Sequence, residues 1–193
     1  MTGNETSAVD AMNAALARAR DVFDTSVDFT LGVEEEYALL DPERLDLVPA
    51  WDRAYAAVLD AGLESFVAGE LLASEIEFRT GRCERWSDAV AEMTDIRQRV
   101  VRAMGDAGLA LGISGTHPWA DYREQQIIEQ PYYRQLVDRL QYVAHRNNTF
   151  GLHVHVGVRG ADRAIAVANA LRDLQPILLA ASTSSPFLDG PVS

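Results

Sequence analysis

The hydrophobic positions change period several times along the chain, and each change marks an element. Ser7–Phe23 is alanine-rich, with Val9, Met12, Leu16 and Phe23 at roughly helical spacing, which predicts an amphipathic helix behind a loose tail over residues 1–6. Asp28–Leu40 alternates instead. Phe29, Leu31, Val33, Tyr37 and Leu39 share one face, as a half-buried strand requires, and Asp41-Pro42 ends it. Trp51–Ala61 predicts a helix stopped by Gly62, and Phe66–Val67 and Leu72–Thr80 predict extended chain punctuated by Gly69 and Gly81. Ser87–Ala107 is the clearest helix, with Ser87 as N-cap and Val90, Met93, Ile96, Val100, Val101 and Met104 as its apolar stripe. Leu109–Ser114 reads as a short buried strand and Gly115–Pro118 as a loop. Pro131–Asn147 reads as a helix with proline in its first turn, and Thr149–Val158 as a second alternating strand. Ala161–Ala180 reads as a long helix that Pro176 bends or breaks, and Ser182–Ser193 as loop. Strands and helices do not alternate as regular βαβ units, so the pattern predicts an α+β fold: an antiparallel sheet with helices packed on one face. The expected organisation is a tail and helix over residues 1–27, followed by one larger domain over residues 28–193.

Composition narrows the function classes. With 193 residues and 48% hydrophobic content the chain can build a real core. A net charge of -12 repels nucleic acid and anionic membranes. No apolar run approaches membrane-spanning length, and Met1–Asp10 lacks a basic-then-apolar signal pattern, so the expectation is a cytoplasmic protein with neither nucleic acid nor membrane as partner. All 17 basic residues are arginine, which excludes a phosphate loop built on lysine. The single cysteine, Cys83, excludes an internal disulfide and a cysteine-based zinc site, and its place after Gly81 reads as incidental despite neighbouring Arg82 and Arg85.

Three segments concentrate chemistry. In Gly32-Val33-Glu34-Glu35-Glu36, alternation puts Glu34 and Glu36 on one face and Glu35 in the register of Leu31, Val33 and Tyr37. A generic glutamate pair is a solvated outer face; an otherwise apolar strand preceded by glycine shifts the balance to a site. In Glu70–Glu77, Glu75 and Glu77 share a face opposite Ile76 and Phe78, and Glu70 in the preceding turn can reach the same region, with Arg79 continuing the polar face. In Gly151–Gly157, His153 and His155 point one way and Leu152, Val154 and Val156 the other, so two of the four histidines share one strand face between glycines. Carboxylates with a minority of imidazoles and no thiolate favour Mg²⁺ or Mn²⁺ over structural zinc, and such ions can bridge ATP phosphates. His117 in Gly115-Thr116-His117-Pro118 could lie at the sheet edge or simply be exposed in a turn.

Together these pieces resemble the glutamate–cysteine ligase type 2 family, carboxylate–amine ligases related to glutamine synthetase. The matching segments are Thr30–Glu36, Glu70–Thr80, Gly115–Pro118, Phe150–Gly157 and Ser182–Phe187, in the family's order. The resemblance implies a glutamine synthetase-like catalytic fold whose curved antiparallel sheet carries metal and ATP on its concave face. It implies an acyl phosphate formed on glutamate or a similar carboxylate, then attacked by cysteine or another amine. Residue by residue, it assigns Glu34, Glu36, Glu70, Glu77 and His153 to the metal, and Glu34, Glu36 and His155 to the metal-bound nucleotide. It leaves Glu75 without a family role and names no catalytic residue.

Family members continue well past the Ser-Ser-Pro segment, so the resemblance also implies an incomplete sheet and a missing half of the active site. The isolated chain is then expected to be weakly active or inactive, and to form a homo-oligomer or take up a complementary C-terminal half. Competing expectations are a non-catalytic remnant that serves as a binding or assembly subunit, a nucleotide-independent metal hydrolase, and, more distantly, a phosphotransferase resembling the guanidino kinases.

Overall fold

The computed structural model describes residues 2–190, with side chains from Val9 onward. Its central strand is β1 (Leu31–Leu40). On one edge β3 (Glu75–Arg79) runs antiparallel to it, with Glu34 opposite Arg79, Glu36 opposite Glu77 and Ala38 opposite Glu75, and β2 (Val67–Ala68) lies outside β3. The other edge is shared by two strands. β4 (Ala110–Gly112) pairs with Ala38–Leu40. β5 (Leu152–Val156) takes the N-terminal half, where Gly157 N–H donates to Thr30 C=O and Glu36 N–H to Gly151 C=O. The result is an open, mixed α+β fold of the expected kind.

Alternation sorts the two faces. Val33, Tyr37 and Leu39 of β1 and Ile76 and Phe78 of β3 are buried, and the Tyr37 and Phe78 rings meet edge to face at 5.9 Å. With them are buried Ala54 and Val58 of α2 (Trp51–Asp60) and Met93, Ile96, Val100 and Met104 of α3 (Trp86–Asp106). Burial of apolar area at roughly 25 cal/mol per Å² makes this layer the main stabilising element of the sheet. A smaller cluster, Ala38, Leu40 and Phe150, covers the opposite face at the C-terminal end of β1. Helices Pro131–Leu140 (α4) and Tyr142–His145 (α5) contribute Tyr133, Leu136, Val137 and Ala144 to a third cluster around Leu71 and Leu72.

Several boundaries differ from the sequence expectation, each for a local reason. Phe29 adopts φ 65° and is exposed, so the strand begins at Leu31. Ser87 does not cap α3; Arg85 stands at the N-cap without a side-chain bond, and the Ser87 hydroxyl turns to Asp88. Val90 and Val101 are exposed, while Ala89 and Ala103 complete the buried stripe. The helix expected over Pro131–Asn147 breaks at Gln141, whose φ of 48° separates α4 from α5. The loop expected over Ser182–Ser193 is seen to Gly190; its last three residues lie outside the described ones.

The chain divides into two compact units, Met1–Leu31 with Val156–Ser182, and Gly32–His155 with Thr183–Ser193. In the first, α1 (Thr2–Thr25) packs on α6 (Ala161–Leu171), so the expected loose tail is helical from Thr2; Met1 lies outside the described residues. Gly160 N–H donates to Phe23 C=O. Asp28 accepts from Arg159 N–H and from the Arg163 guanidinium, which together hold its carboxyl below the ordinary range. A short 3₁₀ turn, Arg172–Leu174, links α6 to α7 (Gln175–Ser182), and Pro176 lies in the first turn of α7, where its missing N–H costs little. The helical run Ala161–Ser182 thereby reaches 22 residues, with mean hydropathy 1.3 over its most apolar 18-residue window, long and apolar enough to cross a membrane by length and composition alone. That overturns the expectation that no run approaches that length. Arg172 and Asp173 fall in mid-run, and a charge at a bilayer centre costs about 2.5–3.5 kcal/mol on insertion scales.

Two glycines test the packing. A Cβ on Gly157 would collide with Val27 C=O and the Thr30 hydroxyl, whereas a Cβ on Gly105, inside α3, meets nothing within 4 Å. Gly157→Ala should cost about 1–3 kcal/mol by overpacking, and Gly105→Ala should gain up to about 1 kcal/mol. Urea midpoints at unchanged slope measure both, and the reverse order would contradict the packing described.

Candidate metal-binding site

The even-numbered positions of β1 and the odd-numbered positions of β3 form an acidic face. The cross-strand pairing puts Glu36 beside Glu77, with Glu34 and Glu75 flanking them. β5 adds the imidazoles. His155 Nε2 lies 2.9 Å and His153 Nδ1 3.2 Å from the same oxygen, Oε2 of Glu34, while His153 Nε2 lies 4.0 Å from Glu36 Oε1. The two rings stand edge to face at 6.4 Å. The chain beside them leaves little room for a side chain. Gly151 N–H donates to the Glu36 carboxylate, and a Cβ there would stand 3.0 Å from His153 Nε2 and 3.1 Å from Glu36 Oε2.

Two sets of donor atoms are close enough to share an ion: Glu34 with His153 and His155, and Glu36 with Glu77 and His153, each set lying within 4.8 Å. His153 belongs to both. Together the two sets offer three carboxylates and two imidazoles, but they differ: Glu36, Glu77 and His153 are mainly hard oxygen donors that suit Mg²⁺ or Mn²⁺, whereas Glu34 with two imidazoles suits Mn²⁺ or a softer ion better than Mg²⁺. All five sequence-assigned metal residues are brought to this face. Glu70, half-buried in the turn before β3, exchanges a hydrogen bond with Glu77 and is raised above the ordinary carboxylate range by burial and by Glu36. His155 lies closer to Glu34 than His153 does.

The electrostatics separate the carboxyls. Glu34 is lowered, chiefly by its hydrogen bond from His155, with His153 adding to it. Glu77 is pushed up to about 7 by burial, then by Glu34 and Glu70. Glu75, which the family resemblance left without a role, is 1% exposed and pushed up to about 10 by burial and by Glu36. It is a neutral acid packed under the cluster, and its position on the ligand face was legible from alternation alone.

The remaining candidates are structural. His117 is buried, with Nε2 against Leu45 C=O at 2.8 Å and Nδ1 accepting from Ala120 N–H at 3.1 Å. That leaves neither nitrogen for a ligand. It fixes the Gly115–Pro118 loop, which binds the last motif segment: Gly115 N–H donates to Ser184 Oγ and the Thr116 hydroxyl to Phe187 C=O. Arg79 is exposed and opposite Glu34, and makes no ion pair among the described residues. Cys83 is buried against Glu92; desolvation first, then the bond to Glu92, raises its thiol away from thiolate, the opposite of what Arg82 and Arg85 suggest by sequence.

The model of the glutamate-cysteine ligase family 2 matches residues 30–193. Among curated proteins, the chain is 39% identical over 171 residues to "Putative glutamate--cysteine ligase 2-2" of Rubrobacter xylanophilus, covering 88% of this chain and 44% of that one. It is 40% identical over 164 residues to "Putative glutamate--cysteine ligase 2" of Solibacter usitatus, covering 83% and 42%. The chain therefore spans under half the length of these relatives. Among solved structures it is similar in fold to a glutamate–cysteine ligase from Francisella tularensis in complex with AMP, at TM-score 0.50 and 14% identity over 79% of this chain and 31% of that one.

Two outcomes test the site. Calorimetric titration with Mn²⁺ should show binding weakened at least about tenfold by Glu34→Gln and by Glu36→Gln, while Glu35→Gln changes mainly stability; equal affinity in all three variants would sink the assignment. The pH dependence follows from the raised carboxyls. Glu77 and Glu75 hold their protons in the fold to higher pH than in the unfolded chain, so the fold binds more protons between about pH 4.5 and 7, and beyond for Glu75. Their contribution is full below that window and lost as pH rises through it. In chelator the chain should melt higher at pH 5.5 than at pH 8; a higher melting point at pH 8 would contradict the buried acids.

Proposed function

Because the chain belongs to glutamate–cysteine ligase family 2, we propose that it carries the metal- and nucleotide-binding sheet face of an ATP-dependent carboxylate–amine ligase. The observation that carries this reading is the convergence of Glu34, Glu36, Glu77, His153 and His155 from three separate motifs onto one sheet face. The AMP bound to the Francisella tularensis ligase supports a nucleotide as ligand. Glu34, Glu36, Glu70, Glu77 and His153 would hold Mg²⁺ or Mn²⁺, and His155 with Glu34 and Glu36 would face the nucleotide. A divalent ion held there offsets phosphate charge in phosphoryl transfer. With no lysine in the chain, Arg79, opposite Glu34 in register and exposed, is the local cation for a phosphate oxygen. The reaction proposed for the whole protein is attack of a carboxylate oxygen, of glutamate or a similar acid, on the γ-phosphoryl group of ATP with departure of ADP. The amine of cysteine or a similar compound then attacks the acyl carbon, and phosphate leaves.

A coverage of 42–44% of the relatives supports a second reading, in which this chain binds metal and nucleotide without turning over until the remaining portion of the site is supplied. Both readings expect Mg-ATP binding. Calorimetry should detect it at or below millimolar nucleotide, with loss in Glu36→Gln; no binding at that concentration would defeat both. ADP formation from glutamate and cysteine by this chain should fall far below the roughly 1–1,000 per second of ordinary enzymes and rise when polypeptide matching the rest of a relative is added. Ordinary turnover by the chain alone overturns the second reading, and hydrolysis without nucleotide would point to a metal hydrolase instead.

A further inference from the structure

The Glu35 carboxylate, between two candidate ligands, is buried on the helix-packed side of the sheet, its residue 8% exposed. Arg97 of α3 grips it with two guanidinium nitrogens: Nε donates to Oε2 at 2.7 Å and Nη2 donates to Oε1. The Tyr37 hydroxyl donates to Oε2 from the same strand face. We propose that Arg97 is a positioning residue that holds β1 with Glu35 inward, so that Glu34 and Glu36 present their carboxylates together on the ligand face. The proposal rests on the reading of that face as a metal site.

The argument starts from strand geometry. Three consecutive glutamates cannot all face outward, and a slip of one residue sends two inward instead of one. Burying an unpaired carboxylate costs several kcal/mol, so the inward place is tolerable only where a partner waits. Arg97 supplies it in a fixed place, because its neighbours Met93, Ile96 and Val100 on α3 are all nearly fully buried. A planar fork on a carboxylate fixes angle as well as distance, which a lysine ammonium does not. The pair is asymmetric: the Arg97 side chain is 55% exposed and that of Glu35 10%. Loss of Arg97 therefore strands a buried charge, whereas neutralising Glu35 leaves a solvated guanidinium.

Charge alone makes the opposite prediction. Removing a cation behind an acidic face makes its field more negative and should tighten cation binding. Mn²⁺ affinity, read from the electron paramagnetic resonance of free Mn²⁺ in solutions of the whole chain at pH 7.5, separates the two. Arg97→Met should bind Mn²⁺ at least about tenfold more weakly than the unaltered chain, the loss typical of an outer partner of a metal ligand. Arg97→Lys should fall between them. The double variant Glu35→Gln with Arg97→Met, which has no buried charge to strand, should return to within about threefold of the unaltered affinity. Met93→Ala, a core cavity on the same helix, should lower the melting temperature without weakening Mn²⁺.

Unchanged or tighter binding in Arg97→Met overturns the proposal, as does a double variant as weak as the single one, or an equal loss in Met93→Ala. If Arg97→Met does not fold, Arg97→Lys and the double variant decide the matter on the same criteria. No Mn²⁺ binding by the unaltered chain overturns this inference and the metal-site reading together, whereas binding that is indifferent to Arg97 overturns this inference alone.

Discussion

A β-strand that carries three glutamates in a row must bury at least one wherever helices cover one of its faces. In β1 that carboxylate is Glu35, and Arg97 with Tyr37 makes its burial tolerable. The rest follows from period two. With Glu35 inward, Val33, Tyr37 and Leu39 join it against the helices, and Glu34 and Glu36 are carried to the other face. The antiparallel register then brings Glu77 opposite Glu36, and β5 lays His153 and His155 against Glu34. The Glu35 carboxyl is held below the ordinary range because the bonds from Arg97 and Tyr37 outweigh the desolvation that opposes them.

The acidic face is less charged than its residue count suggests. Glu75 keeps its proton to about 10 and Glu77 to about 7, and Glu70 is raised too, while Glu34 is lowered by its imidazole partners. Like charges packed this closely cannot all ionise in a site sheltered from water. Glu34, beside the imidazoles, is held below the ordinary carboxylate range, while Glu70, Glu75 and Glu77 are held above it. A divalent cation would favour the charged forms of these carboxyls.

Alternation was enough to read the split among Glu34, Glu35 and Glu36, the shared face of Glu75 and Glu77, and the pairing of His153 with His155, because a period of two is a local property of the chain. It could not show that three strands far apart in sequence are neighbours; the family resemblance supplied that. Arg97 was missed although its spacing was visible, four residues after Met93 and beside Ile96, because a lone arginine on a helix reads as solvated surface until the carboxylate it meets is known. His117 failed in the other direction: both ring nitrogens are used by backbone atoms, one of them on residue 45, which local sequence cannot reveal. The missed breaks share a cause as well. Phe29 and Gln141 adopt positive φ without being glycine, so nothing in the residue type announces the turn.

The two halves of the site are held by different means. The carboxylates of β3 are fixed by a buried strand whose neighbours Ile76 and Phe78 are fully enclosed, whereas all five residues of β5 are exposed. Among the described residues β5 pairs with β1 alone, and no core lies over its apolar side chains Leu152 and Val154. What orients the imidazoles is therefore the ladder to β1 and their contacts with Glu34. Within this stretch of chain the histidine half of the face is held by fewer buried contacts than the carboxylate half. A ligand that bridges Glu34, Glu36 and His153 would tie the weakly held strand to the strongly held one and stabilise the sheet along its least protected seam. The carboxylates of β1 and β3 are thus placed by the helix-packed core, and the Arg97–Glu35 pair within it fixes which glutamates of β1 face the ligand side.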